Sequence, residues 1–79
     1  MTQALLVLTT EADAARAETL ARQLLQEGLA GCISLRPVLS LYPWEGALQR
    51  SEEMQLLIKT MPDRVDRLRE RLHQLHSYD

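Results

Sequence analysis

The order of apolar and polar residues near the start of the chain predicts a buried strand. Residues 4–8 read ALLVL, a continuous apolar run that ends at Thr9 and Thr10. A run of this length without polar alternation is typical of a strand that is buried on both faces. One layer of helices covers only one face of a sheet, so the pattern predicts that a partner chain covers the other face.

A different spacing predicts a helix over residues 13–27. Glu11 and Asp13 suit the N-terminal end of the helix macrodipole. Gly28 suits the left-handed position just past the C-terminus, where Leu29 can make the accompanying hydrophobic contact. The positions i, i+3, i+4 and i+7 form one apolar stripe, which consists of Ala17, Leu20, Ala21 and Leu24.

Two long strands follow, over residues 32–44 and 48–60. The short turn at residues 45–46 favours a hairpin between them. Pro37 and Pro43 cannot donate ladder hydrogen bonds, so each predicts a bulge or an edge-facing position. Both strands exceed the usual length of about five or six residues. A hairpin this long extends beyond its own domain, so its far end must pack against a surface outside that domain.

The last element predicted is a second helix. Pro62 suits its first position, because the missing N–H costs nothing there. One face of this helix is apolar and carries Val65, Leu68, Leu72 and Leu75. The order β-α-β-β-α predicts an α+β, ferredoxin-like fold that lacks its final strand. We expect a single domain over residues 1–79, with an antiparallel sheet and two helices on one face.

Composition restricts the classes of function. The chain has 79 residues, of which 46% are hydrophobic. A domain this small buries only roughly 60–65% of its unfolded surface, which favours completion of the core by oligomerisation. The net charge of -2 argues against nucleic-acid binding. The first ten residues lack a basic region and a long apolar run, so we expect no signal peptide, no membrane span and a cytoplasmic location.

Several short segments together resemble the divalent-cation tolerance family, CutA. They are LVLTT at 6–10, GCIS at 31–34, Pro37, Ser40, Tyr42, WEG at 44–46, Glu53, IKT at 58–60 and HSYD at 76–79. The resemblance implies a tight homotrimer of ferredoxin-like subunits, in which long hairpins pack and pair across subunits around a three-fold axis. It also implies tolerance to copper and other divalent metals, although the family's biochemical activity is poorly defined and some members are linked to anchoring or signalling.

The chain departs from the family pattern at three positions and at its end. The family usually has Ala at the position of Gly31, Pro at that of Ser77 and often Glu at that of Asp79. Family members continue into another strand and a short C-terminal helix. Without that strand, the apolar strand at residues 4–8 would have an unpaired edge. We expect that native residues are absent from this sequence; the alternative is that a neighbouring chain supplies the pairing.

The candidate metal ligands are Cys32 and His76. A cysteine at the start of a buried strand is most often a small hydrophobe, but its thiolate also suits Cu(I). The resemblance adds that the matching family cysteine has been considered for copper binding. Helical geometry places His76 at the rim of the buried face and His73 in water. His76 matches the histidine of the family's HPY motif and ranks above His73, while chance surface histidines are the alternative for both. No metal is required for the fold.

Other chemistry has little support in the sequence. Glu45, Glu52 and Glu53 cluster at an exposed hairpin tip, where burial cannot raise the pKa of a carboxyl group. There is no glycine-rich phosphate loop, and the serines lack the context of a nucleophile elbow. We therefore expect a protein that is not an enzyme.

The hairpin end LYPWEG holds two of the three aromatic residues. Tyr42 and Trp44 point to the same side of a strand. Aromatic side chains are favoured at subunit interfaces, so we expect both to anchor one subunit's hairpin on the next. A small-molecule pocket at that seam is the alternative. The function expected is that of a trimeric, metal-responsive protein with copper as the leading ion; the alternative is a trimeric scaffold or signalling module without a physiological metal.

Overall fold

The computed structural model describes residues 3–76, and Ser77 and Asp79 lie outside that range. Five elements follow in the order β1 (Leu5–Glu11), α1 (Ala14–Gln26), β2 (Cys32–Trp44), β3 (Ala47–Thr60) and α2 (Val65–Leu75). Within the described range, the strands form one antiparallel sheet in the order β1-β3-β2. The predicted α+β class and ferredoxin-like element order are confirmed.

The hairpin of β2 and β3 has one unbroken register. Its pairs run from Cys32 opposite Lys59 to Trp44 opposite Ala47. No bulge therefore interrupts the ladder at Pro37 or Pro43. The two prolines are six residues apart on β2, so both lie on the same side of the alternation; β2 is an edge strand, on which alternate amides face away from the neighbouring strand. The edge-facing alternative from the sequence agrees with this register, and the bulge does not.

Helix α1 buries the stripe that its sequence predicts. All four of its members have less than a tenth of their surface exposed, namely Ala17, Leu20, Ala21 and Leu24. Asp13 is the N-cap, and its side chain accepts a hydrogen bond of 2.8 Å from the backbone N–H of Arg16. Glu11 ends β1 and is buried, and it lines a cavity together with Ala15 and Arg16 of the first turn of α1.

Gly28 ends α1 in the manner predicted, with φ at 72°. The backbone N–H of Gly28 donates to the carbonyl of Leu25, and that of Leu29 donates to Leu24, both at 3.1 Å. These two bonds define a Schellman motif and satisfy carbonyls that the helix leaves free. Leu29 is only 2% exposed, so the chain leaves α1 pointing into the core.

Helix α2 starts at Val65, later than Pro62 predicts. Residues 61–64 form a turn that is closed by the Arg64 N–H bonding to the Met61 carbonyl at 2.9 Å. The fixed φ of proline suits such a turn as well as a first helical position, which explains the error. The apolar face is confirmed, since Leu68 is buried while Val65, Leu72 and Leu75 are half-buried.

Both helices cover the same face of the sheet. The core between the layers is formed by helix residues together with Leu56 and Ile58 of β3, which are fully buried. Residues of β1 alternate, so Val7 packs against this core while Leu6 and Leu8 are 62% and 60% exposed. The described residues thus cover one face of this strand, as one layer of helices predicts, and the cover of the other face by a partner chain stays a prediction.

One ion pair joins the two helices at their C-terminal halves. Arg71 Nε donates to both carboxylate oxygens of Glu27, at 2.7 and 3.0 Å. The Gln23 amide donates to the same carboxylate at 2.6 Å. These hydrogen bonds, that from Arg71 above all, lower the pKa of Glu27 from 4.5 to about 2.

Candidate functional site

The hairpin is a long arm with apolar side chains on both of its faces. The molecule measures 45 × 23 × 21 Å, and the far end of the hairpin carries several large exposed hydrophobic residues. Leu39, Leu41 and Leu48 lie on the side of the sheet that the helices occupy nearer the core. Leu48 is 74% exposed, so the arm extends beyond the cover that its own helices provide.

Tyr42 and Trp44 lie together on the other face of the arm. They are two residues apart on β2 and pair with Gln49 and Ala47 of β3. Trp44 is 60% exposed. The Tyr42 hydroxyl lies 3.4 Å from the Ser51 hydroxyl of β3, a long and exposed contact. The pair thus forms an exposed aromatic surface, as an interface anchor requires, although the described chain supplies no partner for it.

The arm turns through two residues with positive φ. Glu45 has φ at 51° and Gly46 at 77°. Positive φ at both central residues is the signature of a type I′ turn, whose twist matches that of the flanking strands. Glycine adopts this conformation freely, whereas glutamate does so at a cost. The turn sets the direction of Trp44, the last residue of β2.

A second exposed apolar surface lies on the open face of the sheet. Leu6 and Leu8 belong to it, and the half-buried Leu57 lies directly opposite Leu8. This open face is continuous with the face of the arm that carries Tyr42 and Trp44, since the register of β2 and β3 is unbroken. Sequence reasoning predicted that the first strand needs a second cover but did not name these residues, although the period of two along β1 identifies them.

Cys32 lies on this open face and is exposed. The expectation of a small buried hydrophobe is therefore wrong for the single chain. Cys32 pairs with Lys59, which in turn pairs with Leu6. A cavity of about 200 Å³ is lined by Cys32, Lys59 and Arg64 among others. Lys59 shares the open face with Cys32, whereas the Arg64 guanidinium donates from Nη1 to the backbone carbonyl of Gly28 at 2.8 Å.

His76 lies on the helix side of the sheet. Its Nε2 is 2.9 Å from the hydroxyl of Thr9, a β1 residue whose side chain points toward the helices. His76 is half-buried and His73 is exposed, as helical geometry predicted. Cys32 and His76 therefore lie on opposite faces of the sheet, and one chain does not bring them together around one ion.

Within the described part of the chain, no metal cluster forms and the hairpin carboxylates Glu52 and Glu53 do not face each other. Among residues 3–76, no group of three His, Cys, Asp or Glu side chains is placed to hold a metal ion. Glu52 pairs with Leu39 and Glu53 with Val38, so the two carboxylates point to opposite faces of the hairpin. This arrangement does not support acid–base catalysis by the pair.

A groove of about 540 Å³ follows the outer edge of β1. It is lined by residues of the strand and of α2, which include Leu8, Thr9, Arg69, Leu72 and His76. Among the described residues, β1 pairs with β3 alone, so its other edge faces this groove. The strand edge that the sequence predicts to need a pairing partner therefore borders a groove whose lining includes apolar side chains and the cationic Arg69.

Comparison with known proteins gives a consistent set of relatives. The sequence model of the CutA1 divalent ion tolerance protein family matches residues 5–79. A divalent-cation tolerance protein CutA of Yersinia pestis is 45% identical over 76 residues, which are 95% of this chain and 64% of the relative. The structure of CutA from Synechococcus elongatus has a TM-score of 0.95 at 36% identity and covers 99% of this chain and 70% of its own.

A further solved relative bears on location. The periplasmic divalent cation tolerance protein CutA from Archaeoglobus fulgidus has a TM-score of 0.90 at 28% identity, over 96% of this chain and 74% of that protein. None of the helices described within residues 3–76 is long and apolar enough to cross a membrane. The cytoplasmic location stays a prediction. The chain spans 64% of the length of the curated relatives it matches.

Proposed function

The chain belongs to the CutA1 divalent ion tolerance family, and from that membership we propose that it assembles as a homotrimer that responds to divalent metal ions, with copper foremost. The observation that carries the assembly is the exposed apolar surface on the hairpin arm and the open sheet face. Four large apolar side chains are more than half exposed in this small domain, namely Leu6, Leu8, Trp44 and Leu48. The hydrophobic effect favours their burial against other copies of the chain.

The open sheet face and the hairpin arm suit contact between copies because each carries large apolar side chains that its own chain leaves exposed. The open sheet face carries Leu6 and Leu8 on its outer strand, and both are more than half exposed. The arm is narrow and carries a Trp and a Tyr that a contact would enclose. Burial of apolar surface contributes about 25 cal/mol per Å², so several such side chains together stabilise an assembly substantially.

In this proposal, copper binds at Cys32. The exposed thiol of Cys32 supplies a soft thiolate ligand of the kind that copper prefers as Cu(I). One thiolate does not complete a site, and no group of three His, Cys, Asp or Glu side chains within residues 3–76 is placed to hold a metal ion. We place the remaining ligands on neighbouring copies, and we rank His76 as a separate, weaker contact because it lies across the sheet.

A copper titration tests the metal part of the proposal. Purified protein is titrated with Cu(I) under reducing conditions, alongside Cys32→Ser, His76→Ala and, as a matched control, His73→Ala. We expect less than one tightly bound copper per chain in the wild type and in His73→Ala, and loss of that binding in Cys32→Ser. Binding in both Cys32→Ser and His76→Ala that equals the wild type would refute the assigned ligands.

The second candidate function is a trimeric scaffold or signalling module without a physiological metal. It is favoured by the lack of a three-ligand group within the described chain. Both candidates share the assembly and the proposal that the protein is not an enzyme. A wild-type trimer that binds no copper in the titration would favour this second function over the first.

A further inference from the structure

No further inference is drawn: the strongest candidate, the groove along the outer edge of β1 beneath the last turn of α2, belongs to the strand edge already described, and nothing in the described residues shows what covers it.

Discussion

At the scale of single residues, Glu45 has a backbone conformation that is unfavourable for its residue type. Its φ of 51° is in the left-handed region, which costs most residues about 1–2 kcal/mol. Asparagine and glycine adopt this region more readily than glutamate. The turn that directs the arm is thus formed against a local preference, and the rest of the hairpin must offset that cost.

Replacing Glu45 by Asn should therefore stabilise the protein. We expect Glu45→Asn to raise the free energy of unfolding by about 0.5–1 kcal/mol, since Asn tolerates positive φ in type I′ turns. Urea denaturation measures the change. Glu45→Gln is the matched control, because it removes the same charge without the preference for positive φ. Equal midpoints for the Asn and Gln variants would show that backbone strain at this turn is not the cause.

The second prediction at this scale concerns Glu27. Its pKa in the folded state, about 2, lies below the ordinary value of 4.5 because Arg71 and Gln23 donate to the carboxylate. A lowered pKa gives a stabilising contribution that is fully present above pH 4.5 and is lost as the pH falls toward about 2. The Glu27→Gln variant lacks this contribution at every pH.

Unfolding experiments at a series of pH values check this expectation. The stability difference between wild type and Glu27→Gln should be constant near pH 6 and should shrink as the pH falls from 4.5 toward 2. Glu18→Gln is the control, since its partner Arg22 lies on the same exposed face of α1 and does not reach α2. A difference that does not change with pH would mean that the ion pair contributes no pH-dependent stability.

At the scale of elements, the sequence predicts those parts that local periodicity determines. The α1 stripe, the Gly28 terminus and the bounds of β2 follow from spacing alone. The start of α2 does not, because Pro62 suits a turn as well as a helix. The exposure of Cys32 and its distance from His76 depend on which sheet face each occupies, and that follows from the strand register rather than from any local pattern.

The edge of β1 gives a prediction at the same scale. Alternate backbone amides of β1 donate hydrogen bonds to β3. We expect the intervening amides to donate to a second strand in the assembled protein. Hydrogen exchange measures this amide by amide. Protection of both sets, comparable to that of the central strand β3, is the expected result. Rapid exchange at the intervening amides in a soluble trimer would show that the sheet tolerates an open edge.

At the scale of the whole molecule, the exposed apolar surface is the main reason to propose an assembly of several copies. The single chain has a core between helices and sheet, but its arm and open face leave aromatic and leucine side chains in water. Large exposed apolar patches of this kind are typical of surfaces that contact other chains. We therefore expect these residues to contact other copies of the chain. The proposed copper site needs the same contact, because its remaining ligands are placed on neighbouring copies.

The mass in solution, measured by light scattering after size exclusion, tests that claim most directly. We predict three times the 9.0 kDa of one chain for the wild type and for Leu25→Ala, a control at an exposed leucine on α1. Trp44→Ala should shift toward monomer or aggregate, since loss of a core-like aromatic costs about 3–5 kcal/mol. A monomeric wild type, or a Trp44→Ala trimer with unchanged thermal stability, would contradict the account.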